Sequence, residues 1–472
     1  MLYTEIVNKN KPYKKKKIDL VETLDKDNNK VLLDKEAFNY YEQLKKYLKT
    51  IGIEIVINEA YRSIEDQEKI VEEFKNIYDE DILYKKVAVP GYSEHHTGLA
   101  IDIGLVFDKK EEEEENIKIR EALYQKMHKH LSKFGFILRY PKGKEEITGY
   151  SYEPWHIRYV GIIPATIIYQ NNLTLEEYLK DFAGILYINK PKDVTSFDVV
   201  HEISKLFGIK KVGHTGTLDP LATGVMLVAV GKATKIVELL TAEDKEYIAR
   251  VKLGIMTDTY DITGKVIEKK EVPKNLNLEK IIASFQKTYL QEVPIYSAVK
   301  VNGKKLYEYA REGKKIELPK NEVTIKKIEL LDKNQDEFTM KALVTKGCYI
   351  RSLIMDIGKS MNTYATMTSL TRTKQGRISI EESNTLEEIK NNHFQIHKIE
   401  EVLTYPIIQV SKEEEFMILN GVKIKDKWNI SDKVIVQTEK GQLIGICQKE
   451  NGFLKTWKNF KQSVNDMSKK RK

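Results

Sequence analysis

The feature that most constrains this chain is the stretch 213–224, GHTGTLDPLATG, which an apolar run follows directly. Three glycines and a proline surround its single acidic residue, Asp219. Glycine allows a tight turn and the close approach of a ligand, and Pro220 fixes φ immediately after the aspartate. A lone Asp-Pro pair is usually an ordinary turn. The whole stretch instead predicts a stiff loop that presents one carboxylate just before a strand at 225–230.

The motif resembles the catalytic motif of the bacterial tRNA pseudouridine-55 synthases of the TruB type. Further segments match that family in the same order, namely 184–191, 195–196, 245–247, 254–261, 296–300, 307–313 and 346–353. The resemblance implies an enzyme that converts uridine 55 in the T loop of tRNA to pseudouridine without a metal or cofactor. Two positions depart from the family pattern: Val293, where proline is usual, and Cys348, where threonine or serine is usual. Neither departure replaces a reacting group.

The reaction breaks the N1 glycosidic bond of a flipped-out uridine and rejoins the uracil through C5. A pocket with a carboxylate, an aromatic platform and an orienting cation suits that chemistry. By resemblance, Asp219 is the nucleophile, Tyr247 stacks on the base and assists proton removal at C5, and Arg351 pairs with Asp219. The resemblance also implies RNA contacts for His214, Lys190, Tyr296, Lys300 and Leu370.

A second group of polar residues lies in the first third of the chain. Zinc prefers imidazole nitrogens and a carboxylate, and a catalytic zinc keeps one position for water. His95, Asp102 and His156 supply such ligands, and Glu153 is placed to take a proton from the water. Taken alone, residues so far apart in sequence are more often unrelated.

The surrounding strings, SEHHTGLAID at 93–102 and EPWHIRYVG at 153–161, resemble the VanY-like zinc carboxypeptidases that trim D-alanine from peptidoglycan stem peptides. The resemblance implies that His95, Asp102 and His156 bind zinc and that Glu153 is the catalytic base. It also implies that Arg62 stabilises the oxyanion or the substrate carboxylate, and that Ser93 and Gln67 contact substrate. His96 is not expected to be a ligand, because neighbouring residues on a strand point to opposite faces.

Hydrophobic periodicity predicts helices at 35–48, 64–77, 173–180, 196–206, 277–285 and 350–360, and strands at 51–57, 225–230, 247–253, 338–344, 433–437 and 443–447. The acidic run 109–115 is expected to be a solvated loop or helix start. The predicted fold class is α+β and multidomain. The predicted domains are a zinc carboxypeptidase-like α+β domain at 1–183, a synthase domain on a mixed sheet at 184–403, a small β-rich PUA-like RNA-binding extension at 404–462, and a disordered basic tail at 463–472.

Charge is distributed unevenly along the chain. Residues 1–183 contain 29 Lys and Arg against 33 Asp and Glu, a net −4, whereas the remainder contains 49 against 37, a net +12. This asymmetry assigns polyanion binding to the C-terminal part, with the T arm of tRNA as the expected partner. Abundant lysine encoded by an AT-rich genome would give part of the same excess. The expected partner of the N-terminal part is a stem peptide or muropeptide.

No apolar run approaches the roughly 20 residues that span a bilayer, and no apolar segment follows the first positive charges as in a secretory signal. The two cysteines, Cys348 and Cys447, lack metal-ligand spacing. A reducing compartment fits best. We therefore expect a monomeric cytoplasmic protein with no membrane partner.

The leading interpretation is a fusion of a zinc carboxypeptidase-like domain with a complete tRNA pseudouridine synthase. One alternative is an RNA-binding module without turnover, which the presence of Asp219, Tyr247 and Arg351 disfavours. Another is a cell-wall-peptide carboxypeptidase that carries a non-catalytic RNA-binding module. The missing export signal disfavours that second alternative.

Overall fold

The computed structural model describes residues 2–79, 83–84, 87–106 and 114–461, and the chain divides into two compact units. The first unit comprises the residues up to Phe182 together with Glu202–Lys211. The second comprises Ala183–His201 and the residues from Val212 onward. The chain therefore leaves the first unit, returns to it for one short segment and leaves it again. The domain boundaries expected from the sequence stay a prediction.

The strands of the first unit are β1 (Leu20–Leu24), β2 (Lys30–Asp34), β3 (Ile55–Glu59), β4 (Ala100–Leu105), β5 (Phe136–Leu138) and β6 (His156–Tyr159). β1 and β2 form an antiparallel pair, and the other four form an antiparallel sheet in the order β3-β4-β6-β5. Asp102 on β4 lies directly opposite His156 on β6. The register thus brings together two residues that are far apart in the sequence.

The helices of the first unit are α1 (Lys35–Thr50), α2 (Ile64–Lys75), α3 (Glu114–Leu131), α4 (Glu145–Thr148), α5 (Ile162–Gln170) and α6 (Leu175–Asp181), with 3-10 turns at Glu94–Thr97 and Ser132–Phe134. α1 begins after Asp34, whose carboxylate accepts hydrogen bonds from the first amides of the helix. Its buried residues recur at helical spacing, from Ala37 to Leu48, and join the core beside β3 and β4.

The main sheet of the second unit is mixed. Its part of the chain contains β7 (Ala183–Lys190), β8 (Val212–His214), β9 (Thr223–Gly231), β10 (Lys245–Leu253), β11 (Ile255–Thr257), β12 (Val266–Lys269), β13 (Thr288–Glu292), β14 (Lys300–Val301), β15 (Lys304–Lys305), β16 (Lys320–Asn334), β17 (Glu337–Val344), β18 (Ala365–Gln375) and β19 (Ile378–Ser379). The sheet order is β13-β16-β17-β10-β18-β9-β7, with β8 beside β9 and β19 beside β18. β9 and β18 pair in parallel, whereas the other neighbours are antiparallel. The predicted mixed sheet is confirmed.

The remaining helices are α7 (Ser196–Phe207), α8 (Val237–Thr241), α9 (Leu278–Ala283), α10 (Leu306–Arg311), α11 (Ile350–Ser360), α12 (Leu386–Lys390), α13 (Ile399–Val402) and α14 (Lys412–Leu419), with 3-10 turns at Lys232–Ile236 and Ile380–Glu382. α11 buries Leu353, Ile354 and Ile357 in the same core as β10 and β17. That packing holds the first turn of α11, which contains Arg351, in a fixed position.

The chain ends in a small β-rich region, as predicted. Its strands are β20 (Ile407–Val410), β21 (Ile424–Lys425), β22 (Lys433–Thr438), β23 (Leu443–Glu450) and β24 (Phe453–Asn459), in the sheet order β20-β22-β23-β24-β21. Its assignment as a PUA-like RNA-binding domain stays a prediction. Among the helices of the described residues, none is long and apolar enough to cross a membrane.

Two local predictions were wrong. The strand expected at 51–57 begins at Ile55, because α1 continues to Thr50 and Gly52 makes the turn at φ 77°. His95 and His96 lie on the 3-10 turn Glu94–Thr97 and not on a strand, so the alternation argument about His96 does not apply. The acidic run 109–115 lies largely outside the described residues, and the tail 463–472 lies wholly outside them.

Two candidate active sites

The loop that carries Asp219 is fixed by hydrogen bonds on both sides of the carboxylate. Ser196 Oγ accepts a hydrogen bond from the Leu218 amide at 2.9 Å and donates one to the Leu218 carbonyl at 3.1 Å. On the other side, the Pro220 carbonyl accepts a hydrogen bond from the Lys190 ammonium at 3.2 Å. The Asp219 side chain nevertheless keeps 32% of its surface exposed. The backbone is therefore held while the carboxylate stays accessible.

Arg351 pairs with this carboxylate through two of its nitrogens. Its Nε lies 2.9 Å from Asp219 Oδ2, and its Nη2 donates to Oδ1 at 3.0 Å. The guanidinium also donates to the carbonyls of Thr259 at 2.9 Å and Tyr296 at 3.0 Å. Two-pronged pairing fixes direction as well as distance. The orientation of Asp219 is thus set by an arginine whose own position is determined by the backbone.

Asp219 and Arg351 line a cavity of about 480 Å³, which also has Tyr247 and Leu370 in its wall. Tyr247 is buried and shares a hydrogen bond with Arg372, and burial raises the pKa of the tyrosine. A volume of this size is typical of small-molecule sites. The structure therefore brings together the three predicted catalytic residues and one predicted RNA-contacting residue.

The other predicted RNA-contacting residues are placed differently. The Lys190 ammonium is buried, donating to the carbonyls of Pro191, Val194 and Pro220, and burial lowers its pKa to about 8. Lys190 thus supports the Asp219 loop from inside the fold and does not present its charge to RNA. Tyr296 contributes the carbonyl described above. His214, whose Nδ1 accepts from the Gly216 amide at 3.2 Å, and the exposed Lys300 are not among the described residues that line the cavity.

Sequence reasoning missed Arg372, which lies on β18 and is almost completely buried. Its guanidinium donates to the carbonyls of Gly216, at 3.2 Å, and Val225, and it also contacts Tyr247. It therefore joins the Asp219 loop, strand β9 and the aromatic wall of the cavity. The signal that could have revealed Arg372 was a basic residue within a strand that is otherwise largely buried.

The two departures from the family pattern fit their surroundings. The Val293 amide donates to the Pro319 carbonyl at 2.9 Å, a bond that a proline at this position could not make. Burial raises the pKa of Cys348 to about 12, which keeps its thiol protonated near neutral pH. Cys348 is thus a packing residue of the cavity wall.

In the first unit, potential ligand atoms of His95, Asp102 and His156 all lie within 4.8 Å of one another. His95 Nδ1 lies 2.6 Å from the Ala60 carbonyl, so Nδ1 carries the proton and the Nε2 lone pair faces Asp102 Oδ2 at 3.6 Å. A backbone carbonyl that fixes the tautomer is the usual support for a metal-binding histidine. The geometry thus presents a nitrogen with a free lone pair.

These residues fit a zinc ion. His156 Nδ1 lies 2.9 Å from Asp102 Oδ1, yet this buried oxygen makes no hydrogen bond with any described residue. A cation bound by His156 Nδ1 and Asp102 Oδ1 would give each of these atoms a partner. Two imidazoles and one carboxylate form a donor set that catalytic zinc accepts, with a position left for water.

The predicted base lies beside this group. Glu153 Oε2 is 3.6 Å from His156 Nδ1, and burial raises the pKa of Glu153 to about 7.

Arg62 makes an ion pair with Glu59 and donates to Gln67, whose amide in turn donates to the Ala88 carbonyl at 2.8 Å. Gln67 thus positions Arg62 within the fold.

Ser93 and His96 make hydrogen bonds within the fold at or beside the 3-10 turn. Ser93 Oγ accepts from the His95 amide at 3.4 Å and so caps the turn. His96 lies against the Arg62 carbonyl through Nδ1, at 2.7 Å, and accepts from the Gly91 amide through Nε2, at 3.1 Å. Both ring nitrogens of His96 are thus engaged within the fold, and neither faces the three clustered residues.

Glu94 is a further residue that sequence reasoning missed. It is fully buried, with Oε1 3.5 Å from His156 Nε2 and Oε2 accepting from Arg139 at 2.8 Å and Arg158 at 3.2 Å. Burial disfavours the carboxylate, but the two arginines outweigh it and hold the pKa of Glu94 well below its usual range. An ionised Glu94 therefore places a negative charge beside the ring of His156. The signal that could have revealed Glu94 was its position directly before His95 in the string that matches the VanY-like family.

Two known families match parts of this chain. Residues 204–350 match the family described as TruB family pseudouridylate synthase (N terminal domain). Residues 30–162 match the VanY family, described as D-alanyl-D-alanine carboxypeptidase. The second unit is accordingly of the pseudouridylate synthase class, and the first carries a VanY domain.

Curated relatives make the assignment more specific. The chain is 46% identical over 286 residues to tRNA pseudouridine synthase B of Fusobacterium nucleatum, covering 59% of this chain and 99% of that protein. It is 42% identical over 281 residues to the protein of the same name from Clostridium tetani, covering 57% and 97%. The chain belongs to the TruB family.

A solved structure, VanYB in complex with D-alanine-D-alanine, is 34% identical to this chain. The alignment covers 38% of this chain and 97% of that one, with a TM-score of 0.33.

Proposed function

We propose that the second unit converts uridine 55 in the T loop of tRNA to pseudouridine. The observation that carries this proposal is the two-pronged Asp219–Arg351 pair in the wall of a cavity of about 480 Å³. The carboxylate is oriented, accessible and next to an aromatic side chain. These are the groups that isomerisation of a flipped-out base requires.

In the proposed reaction, Asp219 attacks C1′ as the N1–C1′ bond of the uridine breaks. The uracil rotates, and C5 forms the new bond to C1′ as the Asp219–C1′ bond breaks. The C5 proton is then removed and N1 gains a proton. Atoms and electrons balance without an oxidant, a reductant or a cofactor. Arg351 keeps the carboxylate aimed at the sugar, and Tyr247 supports the base and assists removal of the C5 proton.

Asp219→Asn tests the proposal, because it keeps the size of the side chain and removes its negative charge. We expect no pseudouridine formation in a tritium-release assay on a tRNA transcript. Binding of the transcript should be largely retained, because phosphate contacts dominate affinity. Asp332→Asn, at an exposed position on β16, is the matched control and should behave as wild type. Turnover of Asp219→Asn near the wild-type rate would refute the assignment.

A second activity is favoured by the convergence of His95, Asp102 and His156. We infer that the first unit is a zinc carboxypeptidase that releases D-alanine from stem peptides or muropeptides. Bound zinc would supply a Lewis acid. Glu153 would accept a proton from the attacking water, and the released D-alanine amine would gain one. Arg62 would provide a cation for the substrate carboxylate.

Two substitutions separate metal binding from turnover. His156→Ala should lose about one zinc per chain, whereas Glu153→Ala should keep the zinc and lose D-alanine release. Glu68→Ala, at an exposed position on α2, should change neither property. A folded wild-type protein that binds no zinc and releases no D-alanine would overturn the carboxypeptidase proposal and leave the synthase proposal intact.

The two proposals together imply a location. A synthase acting on tRNA works in the cytoplasm, so we propose that the chain is cytoplasmic. We also propose that it is a monomer. The carboxypeptidase would then act on cytoplasmic cell-wall precursors or recycled muropeptides. Cell fractionation followed by immunoblotting tests the location, and sedimentation of the purified chain tests the monomer.

A further inference from the structure

The first unit contains a basic groove of about 660 Å³, here called the lysine groove. Its basic lining residues are Lys11, Lys14, Lys16, Lys210 and Lys211. All five belong to the first unit, since this unit includes Glu202–Lys211. The acidic residue in the lining, Glu5, pairs with Lys16. The groove therefore has a clear positive excess.

This excess contrasts with the charge of the surrounding sequence, since residues 1–183 carry a net −4. Six lysines and no acidic residue occur in the stretch 9–17. The side chains that line the groove at positions 11, 14, 210 and 211 are exposed, and the ion pairs found among the described residues involve none of them. The cations are thus concentrated on one surface and available to a ligand.

The groove rests on a fixed backbone. The buried guanidinium of Arg158 donates to the carbonyls of Tyr3, at 3.0 Å, and Glu5, at 2.8 Å. Thr4 Oγ1 donates to the Gly208 carbonyl at 2.5 Å. A Cβ atom at position 208 would lie 2.3 Å from the Thr4 side chain, so glycine is required for this approach. A backbone that is already fixed loses less entropy when a ligand binds.

We propose that the lysine groove binds the phosphate backbone of the tRNA on which the second unit acts. This inference rests on the function proposed above. Lys211 precedes Asp219 by eight residues, so at most about 29 Å of extended chain separates them. RNA offers phosphates at regular spacing that can engage several ammonium groups at once. A stem peptide offers a few carboxylates on a short chain, whereas RNA repeats its phosphates along its whole length, which favours RNA as the occupant.

The test is the double variant Lys11→Ala/Lys14→Ala in the full-length chain. Its affinity for an unmodified tRNA transcript is measured by fluorescence anisotropy from 50 to 400 mM salt. Each lost phosphate contact lowers the slope of log K against log salt by about 0.7 to 0.9, so we expect a reduction of roughly 1.5. The affinity should fall by roughly tenfold or more at 0.1 M salt. Lys210→Ala/Lys211→Ala should change both quantities in the same direction.

The matched control is Lys45→Ala/Lys46→Ala, which removes two exposed lysines from α1 in the same unit. This control should keep the wild-type affinity and salt slope. Unchanged RNA binding in both groove variants, or an equal loss in the control, would overturn the proposal. A raised KM for D-alanine release with unchanged RNA binding would instead assign the groove to the peptide substrate.

The binding test is independent of turnover. Repeating it in the Asp219→Asn background shows whether the groove contributes to affinity when no pseudouridine forms. A wild-type protein that binds the transcript through the groove but forms no pseudouridine would refute the proposed synthase function alone. Thermal unfolding of each variant verifies that the substitutions leave the fold intact.

Discussion

Every side-chain nitrogen of Arg351 has a partner near Asp219. Nε and Nη2 engage the two carboxylate oxygens, while Nη1 and Nη2 donate to the carbonyls of Thr259 and Tyr296. Only a planar fork can make these contacts together, because an ammonium group is a point donor. The arginine is thus needed for geometry as well as for charge.

We therefore predict that Arg351→Lys keeps the charge but slows pseudouridine formation by roughly 10- to 100-fold, since charge-assisted hydrogen bonds contribute about 1.5–3 kcal/mol. Single-turnover rates on saturating tRNA transcript provide the measurement. Arg250→Lys is the control, because Arg250 makes a largely exposed ion pair with Glu337. A wild-type rate for Arg351→Lys would show that the fork is dispensable.

The residues that meet at the two candidate sites could be predicted because each lies in a distinctive local string. Lys190 shows the limit of that approach. It lies in a matched segment, but its ammonium turns inward to three carbonyls, and only the folded backbone reveals this. Arg372 and Glu94 were missed because their roles arise from tertiary contacts with residues distant in sequence.

At the level of elements, the parallel pairing of β9 and β18 fixes the end of the Asp219 loop. Arg372 lies opposite Gly224, whose φ of 104° is in a region that favours glycine. A Cβ atom at Gly224 would lie 2.2 Å from the Arg372 carbonyl oxygen. The last glycine of the motif is thus required for strand pairing.

Gly224→Ala should destabilise the second unit by at least about 2 kcal/mol, because it combines an unfavourable φ with a backbone clash. The midpoint of thermal unfolding measures the effect. Gly213→Ala is the matched control in the same motif, since its Cβ would meet its nearest atom at an ordinary 3.5 Å and its φ is not positive. Equal midpoints for the two variants would contradict this account.

Elements with a strong period were predictable, and short turns were not. Helix α11 agrees with the predicted 350–360 because its apolar side recurs at helical spacing. The 3-10 turn at His95 depends on the Ser93 cap and on Gly98 at φ 69°, which no periodic pattern reports. The same limit applies to β3, whose start was predicted too early.

On the scale of the whole molecule, the two candidate sites use different chemistry. Among the described residues, the group able to hold a metal ion consists of His95, Asp102 and His156 in the first unit. The Asp219 cavity in the second unit relies on a carboxylate held by arginine. The two activities should therefore differ in their response to metal removal.

Treating the full-length chain with a zinc chelator should abolish D-alanine release and leave the rate of pseudouridine formation unchanged. Both reactions are measured on one preparation before and after treatment, and added zinc should restore the first. Asp219→Asn gives the reciprocal control, since it should remove only the second. Loss of both activities on chelation would show that the synthase depends on the metal.

The return of the chain to the first unit has a consequence for how such a gene can evolve. The hydroxyl of Tyr178 donates to the Phe207 carbonyl at 2.7 Å, and Thr4 contacts Gly208. Both acceptors lie in the short returning segment Glu202–Lys211. They also lie within residues 204–350, which match the synthase family. A gene fission between residues 182 and 183 would separate the first unit from the carbonyl groups to which Tyr178 and Thr4 donate. Selection on folding alone would then oppose the split, even where the two reactions serve unrelated pathways.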